Sequence, residues 1–456
     1  MKQKVTAVFD IGKTNKKIFL FDENFQEVHK EYIRFDETVD EDGYPCEDID
    51  KLKTWIVDTF DTILKADKYE ITSLNFSTYG ASFVHIGYDG EVVAPLYNYT
   101  KPYDAKLEAK FYRKYGPIGK FCQETGSSKL GNLNSGLQIY LLKYQQPELF
   151  KKIKYSLHLP QFVSYLFTGI PLSEYTSIGC HTALWDYKKQ DYHTWVYEEG
   201  INEKLPSIVS TESSINMNYK GHKMKIGVGI HDSSSALVPY LRSSKKPFLL
   251  VSTGTWAITL NPFSDGILSA SDLKADCQNN MRINGEAVKA ARLFLGNEYK
   301  LQIAKLTEHY KVPHETHRTV KFSKRTFKKL NQNFKPHFAW ESLKDSEAPK
   351  KTTLPFESFE EAYHQMMQEL VKLQVKNINM AKGKAILERI YIDGGFSDND
   401  IYIKLLSHYL KPMELKTTDS SLGSALGAAI AISDISLNPK FLKKNYSLKK
   451  HKPVKM

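Results

Sequence analysis

Residues 9–20 read FDIGKTNKKIFL and residues 251–260 read VSTGTWAITL, about half a chain apart. Each stretch contains a strand, a polar residue, one spacer, a glycine, a small cluster with threonine and a second strand. Gly12 of the first stretch matches Gly254 of the second. One such hairpin alone would more simply be an ordinary polar turn. The repeat indicates a duplicated fold whose two lobes hold one ligand between them.

Both turns carry groups that suit phosphate oxygens. The first turn offers donors and a positive charge at Thr14, Asn15 and Lys17. Asp10, at the end of the first strand, can hold Mg²⁺ directly or through water. Gly254 allows a close approach of the backbone, and Thr255 adds a hydroxyl. The sequence has neither a GxxxxGK[ST] loop nor a GxGxxG fingerprint, which argues against both of those nucleotide folds.

A carboxylate stands just before the second hairpin. Residues 229–237 read GIHDSSSAL, in which a short apolar lead enters a glycine and three serines open an apolar-faced helix. Asp232 would therefore lie at a strand-to-helix turn, beside His231 and free backbone N–H groups. A carboxylate in this place can accept a proton from a substrate hydroxyl. The simpler alternative, that Asp232 only caps the helix, stays equally open from this stretch alone.

Length and composition indicate a globular protein of two or three domains. The chain has 456 residues, of which 41% are hydrophobic and 25% charged, and is too long for one ordinary core. No apolar run reaches the length of a membrane span, and Asp10 interrupts the apolar run near the N-terminus, so we expect no membrane partner and no secretory signal. The four cysteines are scattered without a CxxC pair, so we expect a cytoplasmic protein without disulfides or a zinc site.

The net charge of +11 could suggest a nucleic-acid partner, but its distribution argues against one. Much of the excess lies in residues 311–335 and in the lysine-rich C-terminal tail. A basic tail is more often a solvated, frayed end than a binding arm. The sequence shows no aromatic pairs laid out for base stacking. We therefore predict no nucleic-acid partner.

Several segments in the first half predict helix boundaries. Asp48 or Asp50 would cap one helix. Residues 157–169 would form a short helix that ends at Gly169. In residues 73–88, Gly80 lies between hydroxyl residues and a tyrosine, which would suit the wall of a sugar site or, equally, a plain strand turn.

Four segments in the second half complete the pattern. Residues 291–306 predict a helix, and residues 315–351, basic and poor in periodicity, are interpreted as an insertion or mobile lobe. Ser358 would cap a long helix. Two glycines at 394–395 end a strand where open α/β sheets bind ligands, with Asn399 or a neighbour opening the next helix.

A further predicted element is a helix of small residues near the C-terminus. Residues 421–432 read SLGSALGAAIAI, and Gly423 and Gly427 fall on one face of this helix. Because glycine has no side chain, we expect another element to pack closely there.

In this order, the segments resemble the FGGY carbohydrate kinases over roughly residues 5–432. The matching motifs are FDIGKTNKK, DGYPCEDID, STYGASF, PQFVSYLFTG with EYT, GIHDSSSAL, STGTW, DGGFSDN and SALGAAIA. The resemblance implies an α/β fold of two actin-like (ribonuclease H-like) domains with ATP and sugar in the cleft between them. The domains would span residues 1–225 on the sugar side and 226–440 on the ATP side, with a basic insertion near 315–351 and a basic tail at 441–456.

The resemblance also implies roles for single residues. Asp232 matches the family's catalytic base, and Asp10 matches its Mg²⁺-associated acid. The positions that match the ATP side are Thr14, Asn15, Lys17, Gly254, Thr255, Gly394, Gly395 and Asn399. Those assigned to the sugar side are Gly80, Ser82 and His231. The implied cofactors are ATP and Mg²⁺, and homodimers are common in the family.

The sequence departs from the family pattern at four places. Thr100 and Lys101 stand where the sugar-pocket strand usually carries an Arg-Asp type motif. Ser82 replaces an acid found in rhamnulokinase-like members, and Gln161 replaces an aspartate that usually follows Pro160. The glutamate that usually precedes the last ALGA is absent. The first three departures concern the sugar, so the identity of the sugar stays open.

The resemblance implies ATP-dependent phosphorylation of a primary hydroxyl of a ketose. HDSSSA followed by STGTW is most similar to the rhamnulokinase and fuculokinase branch, which points to a 6-deoxy-ketose such as L-rhamnulose or L-fuculose. One alternative keeps the fold and acts on xylulose, ribulose or another polyol. The others are an actin-like ATPase with a chaperone or scaffold role, and a sugar sensor or nucleic-acid-binding regulator that uses the basic tail.

Overall fold

A computed structural model describes residues 2–419 and 422–454 of the chain. Ser421, at the start of the predicted small-residue helix, and residues 455–456 of the predicted tail lie outside the described residues. The strands of the first half are β1 (Gln3–Ile11), β2 (Lys16–Asp22), β3 (Glu27–Ile33), β4 (Thr38–Val39), β5 (Pro45–Cys46), β6 (Tyr69–Thr78), β7 (Phe83–Gly87), β8 (Ile153–His158), β9 (Ser173–Glu174), β10 (Trp185–Asp186), β11 (Asp191–Tyr192), β12 (Ile208–Val209), β13 (Ser214–Tyr219), β14 (His222–Gly227) and β15 (Ile230–His231). Those of the second half are β16 (Phe248–Thr253), β17 (Ala257–Asn261), β18 (Cys277–Met281), β19 (Ala287–Leu293), β20 (Arg389–Gly394), β21 (Glu414–Thr417) and β22 (Lys449–His451).

The helices alternate with these strands in both halves. The helices before residue 230 are α1 (Ile49–Ala66), α2 (Ala105–Tyr115), α3 (Ile118–Thr125), α4 (Ser135–Gln145), α5 (Pro147–Lys152), α6 (Leu159–Thr168), α7 (Tyr175–Ile178) and α8 (Thr194–Glu198). The later ones are α9 (Asp232–Ser243), α10 (Ala270–Lys274), α11 (Leu295–Tyr310), α12 (Lys324–Gln332), α13 (Phe359–Lys382), α14 (Asp400–Tyr409), α15 (Gly423–Ala431) and α16 (Phe441–Asn445). Of the described helices, none is long and apolar enough to cross a membrane.

The first sheet is a mixed sheet in the order β13-β14-β6-β1-β2-β3, and β15 pairs with β6 beyond the end of β14. Strands β1, β2 and β3 form an antiparallel meander, whereas β6 and β14 run parallel to β1 and β6 respectively. Helix α1 covers one face of this sheet through an apolar stripe that includes Ile56 and Phe60. Asp48 caps α1 by accepting a hydrogen bond from Lys51 N at 3.0 Å, as predicted.

The second sheet repeats this topology. Its order is β18-β19-β17-β16-β20-β21-β22, so β19-β17-β16-β20-β21 reproduces β3-β2-β1-β6-β14. Strands β16, β20 and β21 are parallel, and β16 and β17 form the second predicted hairpin. The two-fold repetition confirms the duplication that the paired hairpins predicted.

Helices α9 and α15 join the two lobes through a very close backbone contact. A Cβ atom placed on Gly427 would lie 1.8 Å from the carbonyl oxygen of Ser235. The apolar cluster around this contact takes residues from both sheets, such as Phe19 and Leu250, and from α15, such as Ala425. The predicted close packing at the small-residue helix is therefore confirmed at Gly427.

The predicted helix at residues 291–306 is wrong at its start. Residues Ala287–Leu293 form β19, and the helix begins at Leu295. Strand β19 pairs on both sides, with β17 and β18, so its apolar residues are buried without helical spacing. The caps predicted at Ser358 and Asn399 and the helix end at Gly169 are all present.

Residues 315–351 are not a mobile lobe. They contain α12, and Phe327 and Phe338 are buried in the core of the second lobe against α13. Glu369 of α13 accepts hydrogen bonds from the backbone N–H groups of His337 and Phe338. Isolated aromatic anchors hold this segment, which explains why it shows no periodicity.

The interpretation of residues 441–456 as a frayed end is wrong for residues 441–451. This part forms α16 and β22, and β22 pairs antiparallel with β21. Phe441, Leu442 and Tyr446 are buried in the cluster that joins the lobes. The lysines lie on the exposed side of this packed element, so the basic composition concealed an apolar anchor.

We expect Gly427→Ala to destabilise the protein by roughly 1–3 kcal/mol, because a methyl group overpacks the contact between α9 and α15. The measurement is the free energy of unfolding from urea titration followed by circular dichroism. Gly119→Ala is the matched control, since Gly119 lies exposed in α3 and a Cβ there meets nothing within 4 Å. That control should gain up to about 1 kcal/mol from helix propensity. An unchanged unfolding energy for Gly427→Ala would contradict the close contact.

Candidate active site

Two carboxylates meet where the central parallel strands of the first sheet end. In the parallel register, Asp10 of β1 lies opposite Ser77 of β6, and His231 of β15 lies opposite Thr78. Asp232 follows directly as the first residue of α9. Ligand sites in α/β sheets form where the carboxyl ends of parallel strands meet. The topology therefore brings together two acids that are 222 positions apart in the chain.

Both carboxyl groups are in surroundings that resist ionisation. Burial raises the pKa of Asp10 from its ordinary value of 3.8 to about 6, and the charge of Asp232 adds to this effect. Ser424 opposes it by donating a hydrogen bond of 2.8 Å to Asp10 Oδ1. Burial likewise raises the pKa of Asp232 to about 6, against a hydrogen bond of 3.1 Å from Ser233 Oγ. With 35% of its side chain exposed, Asp232 is open to the cleft and can act as a base near neutral pH.

Asp232 does not cap the helix that it begins. His231 occupies the N-cap position with extended backbone angles, φ −67° and ψ 134°, and makes no side-chain capping bond. Because the capping residue must lie outside the helical conformation, Asp232 at the next position is not the cap, and its carboxylate accepts from Ser233 instead. The capping alternative is therefore wrong.

The residues predicted on the sugar side surround Asp232 to different degrees. A Cβ on Gly80 would lie 2.9 Å from both Cys180 Sγ and His231 Cδ2, so only glycine allows this turn to lie against them. His231 is almost fully buried, and its Nε2 atom lies 3.3 Å from Asp232 Oδ1. Ser82 is 2% exposed and lies beneath the turn rather than at its surface.

The first phosphate-type turn presents its polar groups near Asp10. Lys17 lies opposite Asp10 in the β1–β2 register, and its charge lowers the pKa of that carboxyl group. Thr14 is exposed at the tip of the turn. The side chain of Asn15 accepts a hydrogen bond of 2.6 Å from Arg34 Nε, which brings a second cation to this turn.

The second turn and the Gly394 turn contact each other directly. Gly394 has a φ of +83°, and a Cβ there would lie 2.0 Å from Thr253 O. Gly395 N donates a hydrogen bond of 2.9 Å to the same oxygen. At the tip of the second turn, Gly254 N donates to Trp256 O at 2.8 Å. The predicted phosphate and nucleotide segments of the second lobe thus form one continuous surface.

Thr255 is fixed from behind by the start of α11. Its carbonyl oxygen accepts hydrogen bonds from Gly296 N at 3.1 Å and Asn297 N at 3.2 Å. The next residue, Trp256, is 41% exposed and lies 4.3 Å from the ring of Phe294. An exposed aromatic ring beside a backbone turn offers an apolar wall to a ligand in the cleft.

A cavity of about 500 Å³ opens beside the Gly394 turn. Its walls are Tyr299, His317, Arg318, Val320, Lys321, Gly395, Phe396, Asp398, Asn399 and Asp400. Asn399 contributes as a wall, because its Oδ1 accepts from Tyr402 N at 3.0 Å and its Nδ2 donates to Tyr363 at 2.9 Å. The volume is in the range of nucleotide-sized pockets.

Sequence reasoning missed several side chains that the fold brings to these sites. Ser424 reaches Asp10 from the other lobe, and Cys180 and His181 lie against His231. Arg318 and Lys321 of the segment interpreted as an insertion line the nucleotide-sized cavity. The sequence held one signal, the Cys-His pair that follows a hydroxyl-rich loop, and nothing in its spacing joined that pair to His231.

Two family profiles match consecutive parts of the chain. Residues 5–237 match the N-terminal domain of the FGGY family of carbohydrate kinases, and residues 245–440 match the C-terminal domain of carbohydrate kinase FGGY. Together these matches span most of the sequence.

Curated relatives match at low identity. A rhamnulokinase of Mannheimia succiniciproducens is 23% identical over 303 residues, which cover 61% of this chain and 57% of that protein. A rhamnulokinase of Bacteroides thetaiotaomicron is 26% identical over 280 residues, which cover 57% of this chain and 54% of that protein. The chain thus spans a little over half the length of these curated relatives.

Solved structures match over nearly the whole chain. A carbohydrate kinase from Novosphingobium aromaticivorans superposes with a TM-score of 0.80 at 20% identity, covering 99% of this chain and 97% of that one. A ligand-bound xylulose kinase from Lactobacillus acidophilus gives a TM-score of 0.72 at 14% identity, covering 99% and 94%. These neighbours confirm the predicted α/β fold class of two actin-like, ribonuclease H-like domains. The chain belongs to the FGGY family of carbohydrate kinases.

Proposed function

We propose that this protein transfers the γ-phosphoryl group of ATP to a primary hydroxyl of a ketose. The observation that carries this proposal is the position of Asp232, a base with a pKa of about 6 that lies beside Asp10 of the first phosphate-type hairpin. Family membership supports the same reaction class. The scattered cysteines, all free and buried, fit a cytoplasmic enzyme.

A 6-deoxy-ketose such as L-rhamnulose or L-fuculose is the proposed substrate. The rhamnulokinase relatives and the paired HDSSSA and STGTW motifs favour it. A pentulose or polyol is the second candidate, because xylulose kinases and a glycerol kinase are among the solved structures of similar fold. A non-kinase ATPase is less well supported, since it gives no role to the buried sugar-side turn at Gly80.

Two departures from the family pattern have structural roles in this protein. The ammonium group of Lys101 lies 2.6 Å from Asp40 and 2.7 Å from Asp42, so it is engaged by carboxylates. The side-chain amide of Gln161 donates to the carbonyl oxygens of Val228 and Gly229 at 3.2 Å each. Lys101 joins the 40–42 turn to the 98–101 segment, while Gln161 holds the chain that leads into Asp232. Neither departure removes a group from the phosphate side.

The mechanism begins with proton transfer to Asp232. As the substrate oxygen attacks the γ-phosphorus, the hydroxyl proton passes to the Asp232 carboxylate, the bond to the β-phosphate oxygen breaks, and ADP leaves. In this mechanism, Lys17 and the polar groups of the two turns would offset the negative charge that develops on the phosphoryl group. The two lobes would exclude water, which otherwise competes as nucleophile.

Mg²⁺ fits the site as it stands. In the described parts of the chain, no group of three or more His, Cys, Asp and Glu side chains is arranged to hold a metal. Mg²⁺ needs fewer protein ligands, because it commonly takes one or two carboxylates together with substrate phosphates and water. Asp10 supplies such an oxygen, and burial raises its pKa to about 6, an effect that a bound cation would oppose. When bound, Mg²⁺ would neutralise phosphate charge.

A panel of sugars tests the substrate. We expect ADP release with Mg-ATP to rise strongly with L-rhamnulose or L-fuculose and weakly with L-xylulose, D-xylulose, D-ribulose, L-ribulose and glycerol. A preferred pentulose would keep the mechanism and change the branch. Folded protein that binds ATP without any sugar-stimulated ADP release would overturn the kinase proposal.

Asp232→Asn should lower kcat by at least about 10²-fold while ATP still binds, because the variant lacks the general base but keeps both phosphate turns. Sugar-stimulated ADP release gives kcat, and calorimetry gives ATP affinity. Asp50→Asn, an exposed aspartate in the first turn of α1, is the matched control and should keep full activity. Turnover near that of the unchanged protein in Asp232→Asn would remove Asp232 from this role.

Asp10→Asn should stabilise the metal-free protein at pH 7.5 by roughly 1–3 kcal/mol. The pKa of Asp10 in the fold, about 6, lies above its ordinary 3.8, so the folded state binds the proton more tightly. Stability of the unchanged protein therefore falls as pH rises from about 4 to about 6, and the gain in the variant should vanish below pH 4. Unfolding free energies across this pH range check the sign.

Asp40→Asn provides the control of opposite sign for that measurement. Although burial acts the other way, the hydrogen bond from Lys101 and those from the backbone lower the pKa of Asp40. This variant should lose stability at neutral pH. A loss of stability in Asp10→Asn at pH 7.5 would contradict the proposed charge state of the carboxylate pair.

A further inference from the structure

Cys180 and His181 form a side-chain cluster with His231. Cys180 Sγ lies 3.2 Å from His181 Nε2 and 3.2 Å from His231 Nε2. His181 Nδ1 lies 3.1 Å from the carbonyl oxygen of Leu133. Cys180 is 1% exposed and His231 5% exposed, so water does not readily replace these bonds.

The direction of each hydrogen bond in this cluster follows from the Leu133 carbonyl oxygen at one end of it. A carbonyl oxygen only accepts, so Nδ1 of His181 carries the proton and its Nε2 is an acceptor. The Cys180 thiol then donates its S–H to His181 Nε2, which leaves a sulfur lone pair facing His231. His231 must therefore donate Nε2–H to Cys180 Sγ.

The opposite tautomer of His231 would be unfavourable on two sides. A lone pair on Nε2 would face the carboxylate oxygen Asp232 Oδ1 at 3.3 Å. It would also compete with His181 for the single S–H of Cys180. Among the described residues, His231 Nδ1 has no hydrogen-bond partner, which fits an unprotonated nitrogen there.

The side chains of Cys180, His181 and His231 are all neutral near pH 7. Burial lowers the pKa of His231 to about 4 and that of His181 to about 3, and burial raises the pKa of the Cys180 thiol. The charged groups that reach the thiol are Asp232, Glu174 and Arg292, and the imidazole of His158 faces His231. None of these three side chains changes charge near neutral pH. Only the tautomer of His231 therefore has to be determined.

The backbone at this loop is held in an uncommon conformation. His181 has a φ of +43° and Ala183 a φ of +63°, both in the left-handed region. Asn134 Nδ2 donates to the carbonyl oxygen of His181 at 2.8 Å and helps to hold this geometry. A residue other than glycine in the left-handed region costs free energy, and such residues are concentrated at functional sites.

We propose that Cys180 and His181 are positioning residues that fix His231 as the Nε2–H tautomer and so keep an N–H, not a lone pair, beside Oδ1 of Asp232. Ser233 Oγ also donates to Oδ1. Because both donors meet Oδ1, the carboxylate accepts the substrate proton through Oδ2. This inference rests on the proposed role of Asp232 as the base.

The test compares Cys180→Ala with Cys180→Ser in the full-length protein. Serine can donate and accept hydrogen bonds as the thiol does, whereas alanine removes both hydrogen bonds of Cys180. We expect Cys180→Ala to lower kcat roughly two- to tenfold, the usual weight of one hydrogen bond, with little change in the sugar KM. Cys180→Ser should retain most of kcat, and Cys122→Ala, another buried free cysteine, should match the unchanged protein.

A spectroscopic measurement reads the tautomer itself. In ¹⁵N-histidine-labelled protein, long-range ¹H–¹⁵N spectra should show His231 protonated at Nε2, with its signals assigned by their loss in His231→Gln. In Cys180→Ala, the Nδ1–H population should rise above that of the unchanged protein, because Asp232 alone then favours the Nε2–H tautomer. This reading needs no substrate, so it stands even if the sugar panel overturns the kinase proposal.

His181→Asn tests the chain independently of the cysteine. The asparagine amide nitrogen occupies the place of His181 Nδ1 and can still donate to the Leu133 carbonyl oxygen. Asparagine also tolerates the left-handed backbone, and it has no atom at the position of Nε2. The same tautomer change and loss of kcat are expected. An Nε2–H population equal to that of the unchanged protein in both Cys180→Ala and His181→Asn would overturn the proposal, as would a Cys180→Ser variant as slow as Cys180→Ala.

Discussion

The close backbone contact between α9 and α15 is the constraint on which the rest of the site depends. Because Gly427 has no side chain, α15 lies against Ser235 of α9, and the first residue of that same helix is Asp232. The start of α15 carries Ser424, whose hydroxyl binds Asp10 in the other lobe. Gly427 thus allows the close contact between α9 and α15. Through this contact the positions of Asp232, at the start of α9, and of Asp10, bound by Ser424 of α15, depend on each other.

The sequence predicted well those features whose signal is local. The two hairpins, the strand-to-helix turn before Asp232 and the caps at Asp48, Ser358 and Asn399 each depend on a few neighbouring residues. Predictions failed where tertiary pairing decided the structure. Strand β19 is buried by β17 and β18 on its two sides, and α16 and β22 are held by aromatic side chains inside a basic composition.

The candidate site was only partly accessible to sequence reasoning for a related reason. Asp10 lies at the end of β1 and Asp232 directly follows β15, so a common position at strand ends could be inferred from the sequence. Cys180 reaches His231 only because Gly80 allows three separate segments to meet at van der Waals distance. Such a contact depends on the absence of one side chain, and no periodicity or spacing records it. The roles assigned to single residues remain predictions.

The duplicated fold carries an acid and a hydroxyl at the same place in both lobes, but on different strands. In the first lobe, Asp10 of β1 lies opposite Ser77 of β6, whereas in the second Ser252 of β16 lies opposite Asp393 of β20. Asp393 Oδ1 accepts a hydrogen bond of 2.7 Å from Gly394 N and so shapes its own turn. Asp10 instead faces Asp232 and Ser424. A neutral hydroxyl on the second hairpin suits an anionic phosphate, since a carboxylate there would repel it. On the proposed mechanism, the exchange of strands would leave Asp10 for cation handling in the first lobe and a neutral hydroxyl beside the phosphate in the second.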